Sequence, residues 1–301
     1  MFDTAQEYID YCRDNDKQIY DIVLETEEKN TGKKEEYVRE ELGKMLKVME
    51  ESAQGFLNSP SVTYQKMIDG SAYKMNEYAN NEEPIVGKFI AQTMAMAFST
   101  LEVSAAMGKI VASPTAGSSG ILPAALVQFK NKYDISDEEL VNGMLTAIGV
   151  GELLGKYATF AGADGGCQAE TGSAAAMAAG AMVYLRGGSV EQVFNAGCFA
   201  ILHVLGLVCD PVAGLVEYPC VFRNGMGVVN AMISADMALA GIKSIVPFEE
   251  VCQAMRKVGK TLPPSLRETG MGGVAGTNTG QRIRRRFLGI DESSVEDDEA
   301  V

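Results

Sequence analysis

Twenty-six of the 32 glycines in this 301-residue chain lie between Gly108 and Gly280, mixed with alanine, methionine, serine and threonine. Small residues let backbones approach closely, so this stretch can pack helices and loops tightly, while it holds few of the bulky residues that favour a sheet. No run of alternating valine, isoleucine, threonine and aromatic residues is long enough to demand a strand. Helix starts, by contrast, can be read from capping chemistry. Ser136 with Glu139 and Ser189 with Gln192 have capping-box spacing, and Pro123 and Pro247 suit first-turn positions. Helices are therefore expected over 84–111, 121–131, 137–159, 169–185, 190–208, 225–241 and 248–259, and the expected fold class is all-α.

Residues 1–60 have a different texture. Phe2, Ala5, Tyr8, Ile9 and Cys12, then Tyr37, Val38, Leu42, Met45, Met49, Ala53 and Phe56, recur at helical spacing with charges between them. This pattern predicts two amphipathic helices around a Lys-Asn-Thr-Gly-Lys turn at 29–33, packed on a glycine-rich domain over 61–290. Charge follows the same division, with 15 acids against 8 bases in residues 1–60 and six acids with no base in 291–301. The acidic ends read as a solvated face and a disordered tail. A formal charge of -14 repels phosphate backbones and anionic lipid, which argues against nucleic acid and membrane surfaces as partners. The longest apolar stretches, 174–185 and 196–209, fall short of the roughly 18 residues of a spanning helix, and no basic-then-apolar leader opens the chain. The expected location is the cytoplasm, where six cysteines stay reduced.

Four loops, 113–120, 162–172, 209–225 and 270–280, concentrate glycine, hydroxyls and cysteine. Free N–H groups and hydroxyls at helix starts suit a carboxylate or phosphate, and tight turns with caps have the same composition. Cys12, Cys198 and Cys252 fall inside helical patterns and are assigned to packing. Cys167, Cys209 and Cys220 sit in or beside the loops, Cys167 at a helix start where the dipole favours thiolate. Their separations of 42 and 11 residues fit no zinc ribbon and no Cys-x-x-Cys, so spacing leaves a metal site and buried thiols both open. The one histidine, His203, lies in an apolar segment and is expected to be a buried core residue, which leaves Ser-His-Asp catalysis little support. Gly-x-Ser-x-Gly and the phosphate-loop motif are absent, and the Gly-x-Gly at 225–227 follows no strand pattern. Arg282, Arg284, Arg285 and Arg286 read as a helix end or an internal charge pair, and the sixteen methionines as core filler.

Four segments carry a resemblance: Ser-Pro-Thr-Ala-Gly-Ser-Ser-Gly-Ile-Leu-Pro-Ala (113–124), Gly-Gly-Cys-Gln-Ala-Glu-Thr-Gly-Ser-Ala (165–174), Cys-Asp-Pro-Val-Ala-Gly-Leu-Val-Glu-Tyr-Pro-Cys (209–220) and Leu-Pro-Pro-Ser-Leu-Arg-Glu-Thr (262–269). In this order they closely resemble the α chain of the iron-sulfur-dependent L-serine dehydratases, over about residues 85–290. The resemblance implies an all-helical catalytic domain, a [4Fe-4S] cluster on Cys167, Cys209 and Cys220, and L-serine as substrate. It also implies a hetero-oligomer with a β subunit, which carries a Ser-Ser-Ser-His-Thr motif absent here. The chain departs from the family pattern in lacking an upstream Gly-Leu-Thr-Gly-Gly-Asp segment, where it reads Asn-Ser-Pro-Ser-Val-Thr-Tyr-Gln-Lys-Met (58–67). Some single-chain members end in a cysteine that reaches into their own active site; this chain ends Asp-Asp-Glu-Ala-Val, so self-occupancy is not expected.

Dehydrating serine to pyruvate and ammonia faces a weakly acidic α C–H and a hydroxide leaving group. Three thiolate ligands leave one iron of a cluster open, a Lewis acid for the β-hydroxyl. Donors for the substrate carboxylate are available at Ser113, Thr115, Ser118 and Ser119 and at Thr277, Asn278 and Thr279. Base candidates on the chain are Lys109, Lys156, Glu170 and Glu217; the resemblance offers instead a histidine of the β subunit. Rival readings are an L-cysteine desulfidase or another small-amino-acid α,β-elimination, a pyridoxal phosphate enzyme, an iron-sulfur sensing or electron-transfer module, and a cofactor-free helical interaction protein. No lysine is placed against a phosphate cradle, and an electron-transfer cluster usually takes four thiolates.

Overall fold

Thirteen α-helices and no strand account for the regular structure of residues 2–290, which a computed structural model describes. The acidic stretch 291–301, expected as a disordered tail, lies outside the described residues. In chain order the helices are α1 (Ala5–Asn15), α2 (Ile19–Thr31), α3 (Glu35–Gln54), α4 (Ser71–Asn81), α5 (Gly87–Ala105), α6 (Ile121–Tyr133), α7 (Asp137–Tyr157), α8 (Gly162–Gly165), α9 (Ser173–Leu185), α10 (Val190–Leu202), α11 (Cys220–Leu239), α12 (Phe248–Thr261) and α13 (Asn278–Leu288). The all-α expectation holds among the described residues, whose single β-type bridge pairs Cys209 with Arg267.

Helix α9 is the axis of the molecule. Its sequence, Ser-Ala-Ala-Ala-Met-Ala-Ala-Gly-Ala-Met-Val-Tyr-Leu, has no polar face, and residues 173–183 are all buried. A helix apolar all round belongs in a core, and its small side chains let α6, α7, α10 and α11 pack around it. The same core takes in the amphipathic N-terminal helices, with Tyr8 of α1 against Phe194 of α10 at 5.5 Å between ring centroids.

The N-terminal region folds as three helices rather than two. Asp16 adopts a left-handed conformation (φ 54°) that ends α1, and the Asp21 carboxylate accepts the Gln18 N–H at 2.8 Å to start α2. Short aspartate side chains tolerate this geometry, and helical spacing alone cannot reveal it. The turn at 29–33 is present, closed by Gly32 at φ 73°. Ser136 accepts the Glu139 N–H, and Ser189 and Gln192 form the reciprocal box. Pro123 lies in the first turn of α6, whereas Pro247 precedes α12.

Two further expectations change. The α10 helix stops at Leu202, so His203 is exposed at its C-terminal cap with Nδ1 against Asn230 Oδ1 at 2.6 Å, and not a core residue. Gly206 at φ 89° then turns the chain towards Cys209. Conversely α11 begins at Cys220, five residues earlier than capping signals placed it, because the Tyr-Pro dipeptide before it is a helix entrance rather than part of a loop. Helix α4 was not signalled at all. Its Ala72 N–H is capped from another helix, by Glu102 of α5 at 3.1 Å.

Candidate functional site

The glycine loops meet at one end of α9 and α11, and side-chain amides bind them together. Gln168, fully buried, donates to the carbonyls of Gly165 (2.8 Å) and Met255 (3.0 Å) and accepts the Gly206 N–H (2.9 Å). It thereby ties the segment before Cys167 to α12 and to the approach to Cys209. Asn224, also fully buried, donates to the carbonyls of Gly117 (2.7 Å) and Cys220 (2.9 Å) and accepts the Gly120 N–H (2.9 Å). It holds the 113–120 loop on the start of α11. Cys209 is clasped through its backbone, its N–H donating to Leu266 O (2.9 Å) and its carbonyl accepting the Glu268 N–H (2.7 Å). Loops this deep need such partners, since an unpaired buried amide costs about 1–3 kcal/mol.

Three thiols from three segments result. Cys167 opens a π-helical turn, Gln168–Gly172, that leads into α9; Cys209 lies in the clasped segment; Cys220 is the first residue of α11. All three are free and buried. Cys167 Sγ lies 3.0 Å from Thr171 Oγ1, and Cys209 Sγ donates to Glu170 Oε2 at 3.7 Å. Burial pushes all three thiols above the ordinary thiol range, and a thiolate on Cys167 raises both Cys209 and Cys220 further. Glu170 is likewise raised by burial, against the hydrogen bond from Thr115 Oγ1 at 2.8 Å.

The donor set can be tested against a cluster. No three histidine, cysteine or acidic side chains among the described residues converge on one ion. A four-iron cluster is held at three separate corners, which sets thiolates farther apart than the ligands of a single ion. Soft sulfur ligands, deep burial and the lack of any disulfide fit such a group. Gly162 keeps the space open, because a Cβ there would stand 2.9 Å from Cys209 Sγ and 2.7 Å from Glu170 Oε2.

The remaining residues singled out from sequence divide. Thr115 and Ser118 share a 3.2 Å contact beside Glu170, and the buried Ser113 Oγ has no partner among the described residues. Ser119 is occupied by its own turn, donating to Ala116 O. Thr277, Asn278 and Thr279 are exposed at the start of α13, and Thr277 and Thr279 line a separate groove of about 940 Å³ that none of the three cysteines borders. Of the four base candidates, Glu170 alone touches a cysteine. Lys109 is exposed, Lys156 binds Phe2 O and Asp3, and Glu217 gathers the Thr63 hydroxyl with the Met67 and Ile68 N–H groups. The arginines at 282–286 lie on α13, with Arg285 and Arg286 in its last turn. Cys12, Cys198 and Cys252 lie in the hydrophobic core. Sequence reasoning passed over Gln168, Asp210, Arg223 and Asn224, although all four stand within three residues of one of the loop cysteines or, for Asn224, one helical turn beyond it.

Comparison with known proteins shows which family the sequence belongs to. The family model described as the serine dehydratase alpha chain matches residues 14–275. The chain is 58% identical over 288 residues to the L-serine dehydratase alpha chain of Peptoniphilus asaccharolyticus, covering 96% of this chain and 99% of that one. It is 43% identical to a probable L-serine dehydratase alpha chain of Bacillus subtilis, covering 96% of each. An L-serine dehydratase of Streptomyces coelicolor is 36% identical over 282 residues, which span 91% of this chain and 60% of the longer relative. The agreement runs through all the cysteine-bearing loops, and on it the chain belongs to the serine dehydratase alpha chain family.

Proposed function

We propose that this chain is the cluster-bearing subunit of an L-serine dehydratase, an L-serine ammonia-lyase that converts L-serine to pyruvate and ammonia in the cytoplasm together with a β subunit. The observation that carries the reading is that Cys167, Cys209 and Cys220, free and buried, lie on three segments that side-chain hydrogen bonds tie to one another, beside Glu170 and the Thr115 and Ser118 hydroxyls. The names of the relatives support the substrate. Among the described residues no helix is long and apolar enough to cross a membrane.

Cys167, Cys209 and Cys220 would hold a [4Fe-4S] cluster, which supplies a Lewis-acidic iron with no protein ligand, suited to a β-hydroxyl. The chain's own residues do the rest. Ser113 Oγ, buried with no partner among the described residues, donates to the substrate carboxylate, and Ser118 Oγ turns to it from its 3.2 Å contact with Thr115, while Thr115 Oγ1 keeps its hydrogen bond to Glu170. Glu170 holds a proton at Oε2, the oxygen nearest Cys209, and passes it to the departing β-oxygen. The buried walls from α9 and α11 exclude bulk water, so the enamine formed on loss of water is released before it hydrolyses to pyruvate. The α-proton is taken by a base of the β subunit, since His203 is remote in role, capping α10 beside Asn230.

The reading is tested on the chain reconstituted anaerobically with its β subunit. Iron and sulfide should bind, L-serine should yield pyruvate, and serine labelled with 17O at its hydroxyl should broaden the paramagnetic resonance of the reduced cluster, while alanine leaves it sharp. Turnover with an unchanged spectrum under conditions where serine binds would remove the Lewis-acid role. Faster elimination from L-cysteine than from L-serine would make the protein a desulfidase.

A further inference from the structure

Arg223 lies one turn beyond Cys220 on α11, and its guanidinium closes on both neighbours of Cys209. Nη1 donates to the Val208 carbonyl at 2.9 Å, and Nη2 donates to Asp210 Oδ1 at 2.6 Å. The ion pair is well buried, the side chains being 16% and 3% exposed. Asp210 is in turn held by the Val274 N–H, which donates to Oδ2 at 2.7 Å. Gly273, at φ 57°, makes room for that contact, because a Cβ there would stand 2.1 Å from Oδ2. One arginine therefore joins the Cys209 segment to the helix that Cys220 opens, and its aspartate partner joins both to the 270–280 loop.

A buried pair contributes little net stability compared with apolar residues of the same size, so stability alone does not account for it. Its surroundings do. Three thiolates, with Glu268 beside them, would concentrate negative charge in a region of low effective dielectric. Arg223 brings a buried cation to them, one turn beyond Cys220 and against the Val208 carbonyl next to Cys209. Groups of this kind around a metal centre orient its ligands and set its potential.

We propose that Arg223, anchored by Asp210, is the positioning residue of the cluster site, fixing the Cys209 segment against the start of α11 and offsetting the charge of the thiolates. This rests on the cluster reading above. The test uses the full chain with its β subunit, reconstituted anaerobically as parent, R223K, R223M and D210N, with iron and sulfide per chain and a redox titration followed by paramagnetic resonance. Loss of a positive charge disfavours the reduced cluster. R223M should shift the one-electron equilibrium at least tenfold towards the oxidised form, equivalent to 59 mV, and R223K should stay within threefold of the parent. D210N removes a negative charge and should shift the equilibrium the opposite way. A parent that binds no cluster defeats the cluster reading itself. A loaded R223M that titrates like the parent, or R223K and R223M shifting alike, overturns the role of charge. Should R223M fail to fold, D210N decides, and an unmoved or lowered potential there overturns the proposal.

Discussion

Replacing Gly259 by alanine separates helix propensity from packing near the site. In a helix interior alanine is favoured over glycine by about 1 kcal/mol. Gly259 sits in the last turns of α12, buried, where a Cβ would meet Gly165 Cα at 2.7 Å, Gly165 O at 2.9 Å and Gln168 Nε2 at 3.1 Å. Two of these are backbone atoms that no rotamer change can move. Overpacking of this kind costs about 1–3 kcal/mol, and displacing the Gln168 amide from Gly165 O forfeits about 1 kcal/mol more. G259A should therefore destabilise the chain by about 1–3 kcal/mol net. Gly43 on α3 has nothing within 4 Å of its Cβ position, so G43A should stabilise by about 1 kcal/mol. Urea unfolding of the two variants and the parent reads the difference as opposite shifts of the midpoint. Because Gly165 lies two residues before Cys167, G259A should also lower iron content after reconstitution. A G259A midpoint at or above the parent's would refute the close approach of α12 to the Cys167 segment.

Single replacement of Cys167, Cys209 or Cys220 by serine should abolish iron binding, whereas alanine at Cys12, Cys198 or Cys252 should leave it near the parent's level; iron analysis that reverses the two sets reassigns the ligands. E170Q should lower kcat by about 10²–10⁴-fold with iron content unchanged, and a rate within tenfold of the parent would place the proton transfer elsewhere. Burial raises the pKa of Glu152 on α7, whose Oε2 has no partner among the described residues. Protonation is thus favoured in the folded state, so its contribution is fully present below about pH 4 and lost as pH rises through the folded pKa. E152Q should accordingly gain stability over the parent at pH 7 and none at pH 4, as measured by urea midpoints; an equal gain at both would remove the ionisation argument.

Composition and pattern determined the fold class, the run of buried helices and the turn at Gly32, because those follow from local properties: side-chain size, periodicity and a capping residue. The apolar, small-residue stretch 174–185 could only be a central helix, and α9 is that helix. The same local properties could not determine which loops meet. Helix α4 is capped by Glu102 from α5, 30 residues away in sequence, and no signal near Ser71 announces it. His203 lies in an apolar run and yet is exposed, since α10 ends at Leu202 and the chain turns at Gly206, before the apolar run itself ends at Cys209. At the site, separations of 42 and 11 residues said nothing of proximity. Tertiary structure brought the three thiols together through Gln168, Asn224 and Arg223, whose hydrogen bonds satisfy backbone groups on loops distant in sequence. A polar side chain buried among loops chooses its partner by position in space, and sequence records only that a donor and an acceptor are available.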